Sequence, residues 1–318
     1  MEQRCLYCYE PLDSGEGDFH PKCSRKMFGT AVPPLLPYDE SQLDELALEV
    51  IRSHTVITGV QPKLSLHLES AGKPRDPQRF TIVGLWGGYI LKPPSSRFPQ
   101  LPEIEDLTMH MASALRIATV PHCLIRMQSG NLAYLTRRID RTKKGKLHME
   151  DMCQITGRLT ENKYDGSYEQ IGKAILRFSA NPRLDVINFF EVVLFCLLTG
   201  NADMHLKNFS LIDIPEKEGM NLAPAYDLLS TALVMPSDDE DLALTLNGKK
   251  KRITFRDFTT ALKTLSIDEV VQDRMFAKFR KARPVLESLI DRSFLDKERQ
   301  ERYKELITKK YQQIRLDS

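Results

Sequence analysis

The stretch Asn201-Ala-Asp203-Met-His205-Leu-Lys207-Asn208 decides how this sequence is interpreted. It follows residues 185–199, a run that is apolar on most helical faces and ends at a glycine. Such a run predicts a buried helix, because an element that is hydrophobic on all sides belongs in a core. Polar loops held by rigid elements are where reactive side chains tend to lie. The stretch is therefore the first candidate for a functional site.

Asp203 and Asn208 have the five-residue separation that is typical of phosphoryl-transfer sites. There, an aspartate orients the acceptor hydroxyl and an asparagine five positions later binds Mg²⁺. A second carboxylate must follow a short strand, because Mg²⁺ takes several oxygen ligands around the phosphates. Asp227, in Ala225-Tyr-Asp-Leu-Leu, follows a strand predicted over 209–213. The spacing thus predicts Asp203 as catalytic base or orienter and Asn208 and Asp227 as magnesium ligands.

The same template needs a strand lysine, a carboxylate on the next helix and a glycine-bearing loop ahead of both. Lys92 ends a strand predicted over 88–92, and Glu103 or Glu105 opens a helix predicted over 103–118. All parts occur in the chain order of a kinase, which argues against a chance grouping of polar residues. The candidate glycine loop is Thr58-Gly59-Val60-Gln61-Pro62-Lys63.

The composition excludes several other classes of protein. The chain has 318 residues, 42% hydrophobic and 28% charged, which is typical of a globular protein of about two domains. The formal net charge of +2 argues against a partner held mainly by bulk charge, such as duplex DNA. No apolar run reaches the roughly 18 to 20 residues of a membrane span, and the amino terminus is unlike a secretory signal. A cytoplasmic location without membrane binding is expected.

Two pairs of metal-ligating residues lie near the amino terminus. Cys5 and Cys8 form a C-x2-C pair, and His20 and Cys23 form an H-x2-C pair. Two such pairs can present four ligands to one tetrahedral Zn²⁺, and a site filled by four protein ligands is structural rather than catalytic. The alternative is three reduced cysteines beside a surface histidine.

The remaining pattern predicts an α+β layout, with a smaller β-rich first lobe and a mainly helical second lobe. The expected zinc knuckle occupies 1–29, and a proline-rich linker follows over 30–41. Alternating and apolar runs predict the first lobe over 42–141, opened by a helix over 42–52. Helical, strongly charged patterns predict the second lobe over 142–318.

Five stretches of the sequence together resemble the HipA family of serine/threonine protein kinases. Residues 201–210 and Ala223-Pro-Ala-Tyr226-Asp227-Leu resemble that family's catalytic signature. Thr58–Lys63, Tyr89-Ile-Leu-Lys92-Pro and Arg138-Ile139-Asp140-Arg141 resemble its phosphate loop, its ATP lysine strand and the strand after its hinge. The resemblance covers about residues 50–290. It implies a two-lobed protein-kinase-like fold that uses ATP and Mg²⁺ to phosphorylate a serine or threonine of a protein.

The resemblance also implies roles for individual residues. Lys92 would neutralise the α- and β-phosphates, with Glu105 preferred over Glu103 as its partner. Backbone groups of Arg137 and Ile139 would contact adenine. The implied catalytic set is Asp203, Lys92 and His205, and the implied nucleotide-binding set is Thr58, Gly59, Val60, Gln61, Pro62, Lys63, Lys92, Arg137, Ile139, His205, Lys207, Asn208, Tyr226 and Asp227.

Partners are implied by the same resemblance. Family members are commonly toxins of toxin–antitoxin pairs, with targets such as aminoacyl-tRNA synthetases. The antitoxin is a helix-turn-helix protein that binds DNA. The chain itself would therefore contact DNA only indirectly, through the antitoxin. About 50 residues precede the loop here, which resembles the short HipT form that works with a separate small β-rich protein. The family's phosphate loop often carries autophosphorylated serines before its glycine. In Val56-Ile-Thr58-Gly59, only Thr58 remains as such a site.

Two other functions stay open from the sequence. A small-molecule or lipid kinase of similar fold would use the same base, metal ligands and lysine, because these groups do not indicate which molecule is phosphorylated. A zinc-containing binding protein with an inactive kinase core would keep the fold without the chemistry. The completeness of the set Lys92, Asp203, Asn208 and Asp227 argues against that second alternative.

Overall fold

The structure, a computed structural model, divides into two units, which are described separately. The first comprises Met1–Asp106, Val120–Arg141 and Arg292–Phe294, and the second comprises Leu107–Thr119, Thr142–Asp291 and Leu295–Ser318. The residues described are 3–43, 45, 63–69, 77–83, 86–142, 144–237 and 239–317. Most of the helix predicted over 42–52 and all of loop residues 58–62 lie outside them. The predicted domain boundaries stay predictions.

An antiparallel sheet of five strands forms the centre of the first unit. Its spatial order is β2-β1-β3-β5-β4. The alternating leucines of β1 place Leu64 and Leu66 in the core, while His67 is exposed. Lys92 ends the central strand opposite Tyr134. The strands are β1 (Leu64–Glu69), β2 (Arg79–Val83), β3 (Tyr89–Lys92), β4 (His122–Arg126) and β5 (Leu132–Arg137).

Other segments cover both edges of this sheet. At the β2 edge, the Phe80 N–H donates to the Leu35 carbonyl at 3.0 Å, and the Leu35 N–H donates to the Gln78 carbonyl at 2.8 Å. At the β4 edge, the Leu124 N–H donates to the Leu6 carbonyl at 3.1 Å. Segments predicted as linker and knuckle therefore extend the hydrogen bonding of the sheet.

Two helices begin in the first unit, and the second of them continues into the second unit from Leu107. Helix α1 (Pro21–Phe28) begins with proline, whose missing N–H is tolerated there, and ends at a left-handed Gly29. Helix α2 (Leu101–Ala114) begins two residues earlier than predicted and ends four residues earlier. It ends there because the backbone turns left-handed at Arg116, with φ 59°.

Helices dominate the second unit, and short strands accompany them. Its three-stranded sheet has the order β10-β9-β8. The helices are α3 (Met152–Ile155), α4 (Tyr168–Phe178), α5 (Pro182–Thr199), α6 (Thr231–Val234), α7 (Phe255–Thr264), α8 (Glu269–Arg280), α9 (Arg283–Arg292) and α10 (Lys297–Gln313), with 3₁₀ turns at Thr160–Asn162 and Leu206–Asn208. The remaining strands are β6 (Arg141–Thr142), β7 (Gly145–Lys146), β8 (Met149–Asp151), β9 (Ser210–Asp213) and β10 (Met220–Leu222). None of the described helices is both long enough and apolar enough to cross a membrane.

The buried helix predicted over 185–199 is confirmed as α5. From Val192 to Thr199 every residue is buried. The helix ends at Gly200, which has φ 68° and donates its N–H to carbonyls of the last turn. A Cβ at Gly200 would lie 2.9 Å from Ala232 Cβ and 2.9 Å from Leu306 Cδ2. Both the backbone conformation and the packing therefore require glycine where the chain enters the polar loop.

Gly200→Ala is expected to lower the free energy of unfolding by roughly 2–4 kcal/mol, because it combines left-handed strain with overpacking. Gly157→Ala is the matched control, since Gly157 has φ 67° and a Cβ added there would meet nothing within 4 Å. Its loss should be about 1 kcal/mol, from backbone strain alone. Chemical denaturation measures both, and equal losses would show that packing does not constrain Gly200.

Candidate active site

The loop after α5 is fixed by its own polar groups. The Asp203 N–H donates to Asn201 Oδ1 at 3.0 Å, and Asn208 Nδ2 donates to the Asp203 carbonyl at 3.0 Å. The Ala202 N–H donates to Thr231 Oγ1 at 2.9 Å. Because these bonds hold the backbone on both sides of Asp203, its exposed carboxylate is presented from a fixed position.

The Asp203 carboxylate already accepts a hydrogen bond from a hydroxyl group in the structure. The Tyr164 hydroxyl donates to Asp203 Oδ1 at 2.5 Å. Burial and this bond to Asp203 raise the pKa of Tyr164. A carboxylate that accepts a hydroxyl hydrogen bond has the property needed to orient an alcohol acceptor. Sequence reasoning missed Tyr164, because it lies 39 residues before Asp203 and no local pattern connects the two.

His205 is a buried, neutral histidine beside this carboxylate. Its residue exposure is 6%, and its ring lies edge-on to the Tyr164 ring with centroids 5.0 Å apart. Burial lowers the pKa of His205 to about 4, although Asp203 and Asp227 both favour the charged form. Among the described residues, its Nδ1 has no hydrogen-bond partner. A buried polar atom of this kind is usually satisfied by water or a bound ligand.

The two predicted magnesium ligands have suitable donor atoms. Asn208 is buried and uses its Nδ2 on the Asp203 carbonyl, so its Oδ1 is the atom suited to a metal ion. Asp227 is half-buried and has φ 56°, which is uncommon for a residue other than glycine. Burial lowers the pKa of His205, and the negative charge of Asp227 partly opposes that shift. One amide oxygen and one carboxylate fit the oxygen preference of Mg²⁺.

Tyr226 and Lys207 form hydrogen bonds that fix the backbone and side chains next to Asn208 and Asp227. The Tyr226 hydroxyl donates to the Lys207 carbonyl at 3.1 Å and lies 2.6 Å from Ser210 Oγ. The Lys207 Nζ donates to Asp151 Oδ2 at 2.7 Å. Asp151 also caps α3 by accepting the Gln154 N–H at 3.0 Å. Lys207 is thus paired with a carboxylate that the sequence did not point to, 56 residues away.

In the first unit, Lys92 and Glu105 form a buried ion pair. The exposed fraction is 4% for Lys92 and 1% for Glu105, and Lys92 Nζ also lies 5.4 Å from the centre of the Tyr134 ring. The predicted pairing of Lys92 with Glu105 is confirmed. Buried charges persist only when they are paired and hydrogen-bonded, so this contact fixes the lysine at the end of β3.

The other predicted nucleotide contacts have different outcomes. Arg137 is exposed, and its N–H donates to the Pro121 carbonyl at 2.9 Å. Ile139 is half-buried in a turn. Lys63 directly precedes β1, whereas Thr58 to Pro62 lie outside the described residues. Binding of adenine and phosphate by these groups stays a prediction.

The sequence profile of the family described as "HipA-like C-terminal domain" matches residues 55–290. The chain belongs to this HipA-like family. The matched region contains Lys92 in the first unit and Asp203, Asn208 and Asp227 in the second.

Curated relatives of this HipA-like chain carry kinase names. Y4dM of Sinorhizobium fredii, a candidate kinase, is 33% identical over 227 residues, which are 68% of this chain and 54% of that protein. The serine/threonine-protein kinase toxin HipA of Shewanella oneidensis is 30% identical over 217 residues, or 58% of this chain and 47% of that protein. The chain spans about half the length of these relatives.

Solved structures confirm the predicted α+β, two-lobed kinase-like fold. HipA of Shewanella oneidensis, solved with HipB and its operator DNA, has a TM-score of 0.64 at 20% identity and covers 85% of this chain and 70% of its own. The proinflammatory kinase CtkA of Helicobacter pylori has a TM-score of 0.54 at 14% identity, with 80% of this chain and 94% of CtkA covered.

Lys92→Met is expected to lower the free energy of unfolding by about 3 kcal/mol, because the buried Glu105 carboxylate loses the lysine charge. Glu105→Gln should have a similar effect. The double variant should lose less than the sum of the two, since neither charge is then left alone. Denaturant unfolding measures all three.

Lys146→Met, at an exposed lysine of β7, is the control and should change stability by less than about 0.5 kcal/mol. Strict additivity of the Lys92 and Glu105 losses would contradict an energetic coupling between the two side chains.

Proposed function

We propose that this HipA-like chain is an ATP- and Mg²⁺-dependent protein serine/threonine kinase. The observation that carries the proposal is the hydrogen bonding of Asp203. Its carboxylate accepts a hydrogen bond from the Tyr164 hydroxyl, and its backbone carbonyl accepts one from the Asn208 amide. One short loop thereby holds a carboxylate that can accept a hydrogen bond from an alcohol and an amide oxygen that can bind a metal ion. This is the combination that phosphoryl transfer to an alcohol requires.

In this proposal, Asp203 accepts a hydrogen bond from the substrate hydroxyl, orients its oxygen and takes up its proton. Asn208 and Asp227 would hold Mg²⁺, which when bound supplies charge neutralisation at the phosphates. Lys92, fixed by Glu105, would neutralise further phosphate charge. Catalysis would rest on positioning and electrostatics rather than on a covalent intermediate.

His205 contributes as a neutral group. Because burial lowers its pKa to about 4, it carries no charge near pH 7. It can then form a hydrogen bond with a ligand through Nδ1, the atom with no partner among the described residues. A cationic role for His205 at the phosphates is not part of the proposal.

The proposed biological role is that of a toxin that phosphorylates a translation-related protein such as an aminoacyl-tRNA synthetase. The proposed partners are a helix-turn-helix antitoxin, a small β-rich protein and, through the antitoxin only, DNA. Two findings support this: the Shewanella oneidensis HipA was solved with HipB and operator DNA, and the net charge of +2 gives this chain little bulk attraction for DNA. Autophosphorylation at Thr58 belongs to the same proposal.

Asp203→Asn is expected to reduce phosphate transfer about 10²- to 10⁴-fold, because the amide keeps the shape but does not take up the proton. Transfer of labelled γ-phosphate from ATP to proteins of a cell lysate is the measurement. Thermal stabilisation by ATP and Mg²⁺ should remain, since Asp203 is not proposed as a metal ligand.

The matched control is Asp213→Asn, at the exposed last residue of β9, which should keep full transfer. Full transfer by Asp203→Asn would refute the assigned role. Labelling of metabolites instead of proteins would identify a small-molecule kinase.

Tyr164→Phe is expected to reduce kcat roughly threefold to tenfold with little change in the KM for ATP, because one hydrogen bond that positions the Asp203 carboxylate is lost, worth about 1 kcal/mol. Steady-state kinetics separate the two constants. Tyr38→Phe, at a half-buried tyrosine of the first unit, is the control. A rise in kcat would mean that Tyr164 obstructs Asp203.

A further inference from the structure

The side chains of the two amino-terminal ligand pairs converge on one point. One ligand atom from each of Cys5, Cys8, His20 and Cys23 lies within 4.8 Å of all the others. His20 Nδ1 is 3.4 Å from Cys8 Sγ and 3.8 Å from Cys23 Sγ. Zinc bonds of about 2.3 Å to sulfur and 2.0–2.1 Å to nitrogen, at tetrahedral angles, separate sulfur from nitrogen by about 3.6 Å. The observed separations match that geometry.

The histidine is oriented for metal binding through Nδ1. Its other nitrogen, Nε2, lies 2.9 Å from the Pro11 carbonyl. Because a carbonyl oxygen can only accept, Nε2 carries the proton and donates. Neutral His20 therefore presents the lone pair of Nδ1 to the cysteines. A backbone carbonyl that fixes the tautomer is the usual outer partner of a metal-bound histidine.

Local structure delivers the four ligands. The Tyr9 N–H donates to the Cys5 carbonyl at 3.0 Å, which closes the turn that contains Cys8. His20 lies at the amino-terminal cap of α1, and Cys23 is inside its first turn. All six cysteines of the chain are free thiols, so no disulfide uses these sulfurs.

We propose that Cys5, Cys8, His20 and Cys23 bind one structural zinc ion, and that this ion stabilises the part of the first unit that holds Lys92 and Glu105. Three thiolates and one imidazole suit zinc, and with four protein ligands the tetrahedral site has no open position for a substrate. The proposal is independent of the kinase activity proposed above.

Hydrogen bonds connect the segment that carries this zinc cluster (Cys5, Cys8, His20 and Cys23) to the strand that holds Lys92 and to the helix that holds Glu105. The hydroxyl of Tyr89, the first residue of β3, donates to the Met27 carbonyl of α1 at 3.2 Å. The Tyr9 hydroxyl donates to Asp106 Oδ2 at 2.8 Å, one residue after Glu105 on α2. The strand and the helix that carry the pair are thus each bonded to the segment that the zinc ion would fix.

Cys5 and Cys23 are also part of the core of the first unit, and Cys8 packs against it. Arg126 of β4 forms a double hydrogen bond to the Asp18 carboxylate, with Nε at 3.0 Å from Oδ2 and Nη2 at 2.8 Å from Oδ1. Because metal binding orders the ligands, its free energy becomes folding free energy of the elements they pack against. Buried residues that join the amino-terminal segment and the sheet in one core include Cys5, Leu6, Cys23, Phe28, Leu66, Phe80, Leu91 and Leu124.

Metal analysis of the purified full chain tests the site. We expect one zinc ion per chain in the wild type and in Cys153→Ala, a buried cysteine outside the cluster, and much less in Cys8→Ser and His20→Ala. A wild type that holds no zinc after refolding with Zn²⁺, or that holds iron instead, would overturn the proposal. Zinc retained at full content by both ligand variants would overturn the ligand set.

A second measurement needs no variant that could fail to fold. Replacement of the metal in the wild type by Co²⁺ should produce the visible absorption of tetrahedral, thiolate-bound cobalt, and its absence would contradict the coordination. Chelation should lower Tm by about 5 °C or more, with recovery when Zn²⁺ is returned. An unchanged Tm after complete removal of zinc would refute the stabilising role.

Discussion

The burial of α5 is the constraint on which the candidate active site depends. A helix that is apolar on most sides must end inside the core, so the chain that leaves it carries buried polar groups that need partners. The left-handed Gly200 turns the chain, and Asn201, Thr231 and Asn208 then satisfy the backbone around Asp203. The Asn208 amide thereby holds the loop through Nδ2, which leaves Oδ1 as the oxygen that we propose binds Mg²⁺.

Local sequence patterns predict much of the fold and of the candidate site, but they do not predict contacts between residues that are distant along the chain. The spacing of Asp203 and Asn208, the apolar run of α5 and the pairing of Lys92 with Glu105 all follow from neighbours along the chain or from a known template. Tyr164 and Asp151 could not be predicted, because they reach the site only through the fold. The early end of α2 depends on one left-handed residue, Arg116, for which helical periodicity gives no signal.

The buried ion pair Lys92–Glu105 lies on a strand and a helix that are both bonded to the amino-terminal segment. Two opposite charges out of water gain from their attraction only when their geometry is held closely, because desolvation opposes the pair. Lys92 ends β3, a strand of four residues that pairs with β1 on one side and β5 on the other. The amino-terminal segment supplies a bond to the strand through Tyr89 and a bond to the helix through Tyr9. Rigidity of the pair is therefore shared between the sheet and the segment that precedes it.

The covered edges of the five-stranded sheet limit how other chains can bind it. Strand addition by a second protein, like edge-to-edge aggregation, needs free backbone donors and acceptors along an outer strand. Here Leu35 already occupies the outer side of β2 at Phe80, and Leu6 occupies that of β4 at Leu124. A β-rich partner could not extend the sheet at these positions. A partner that binds at Phe80 or Leu124 would therefore have to recognise side chains rather than pair through the backbone.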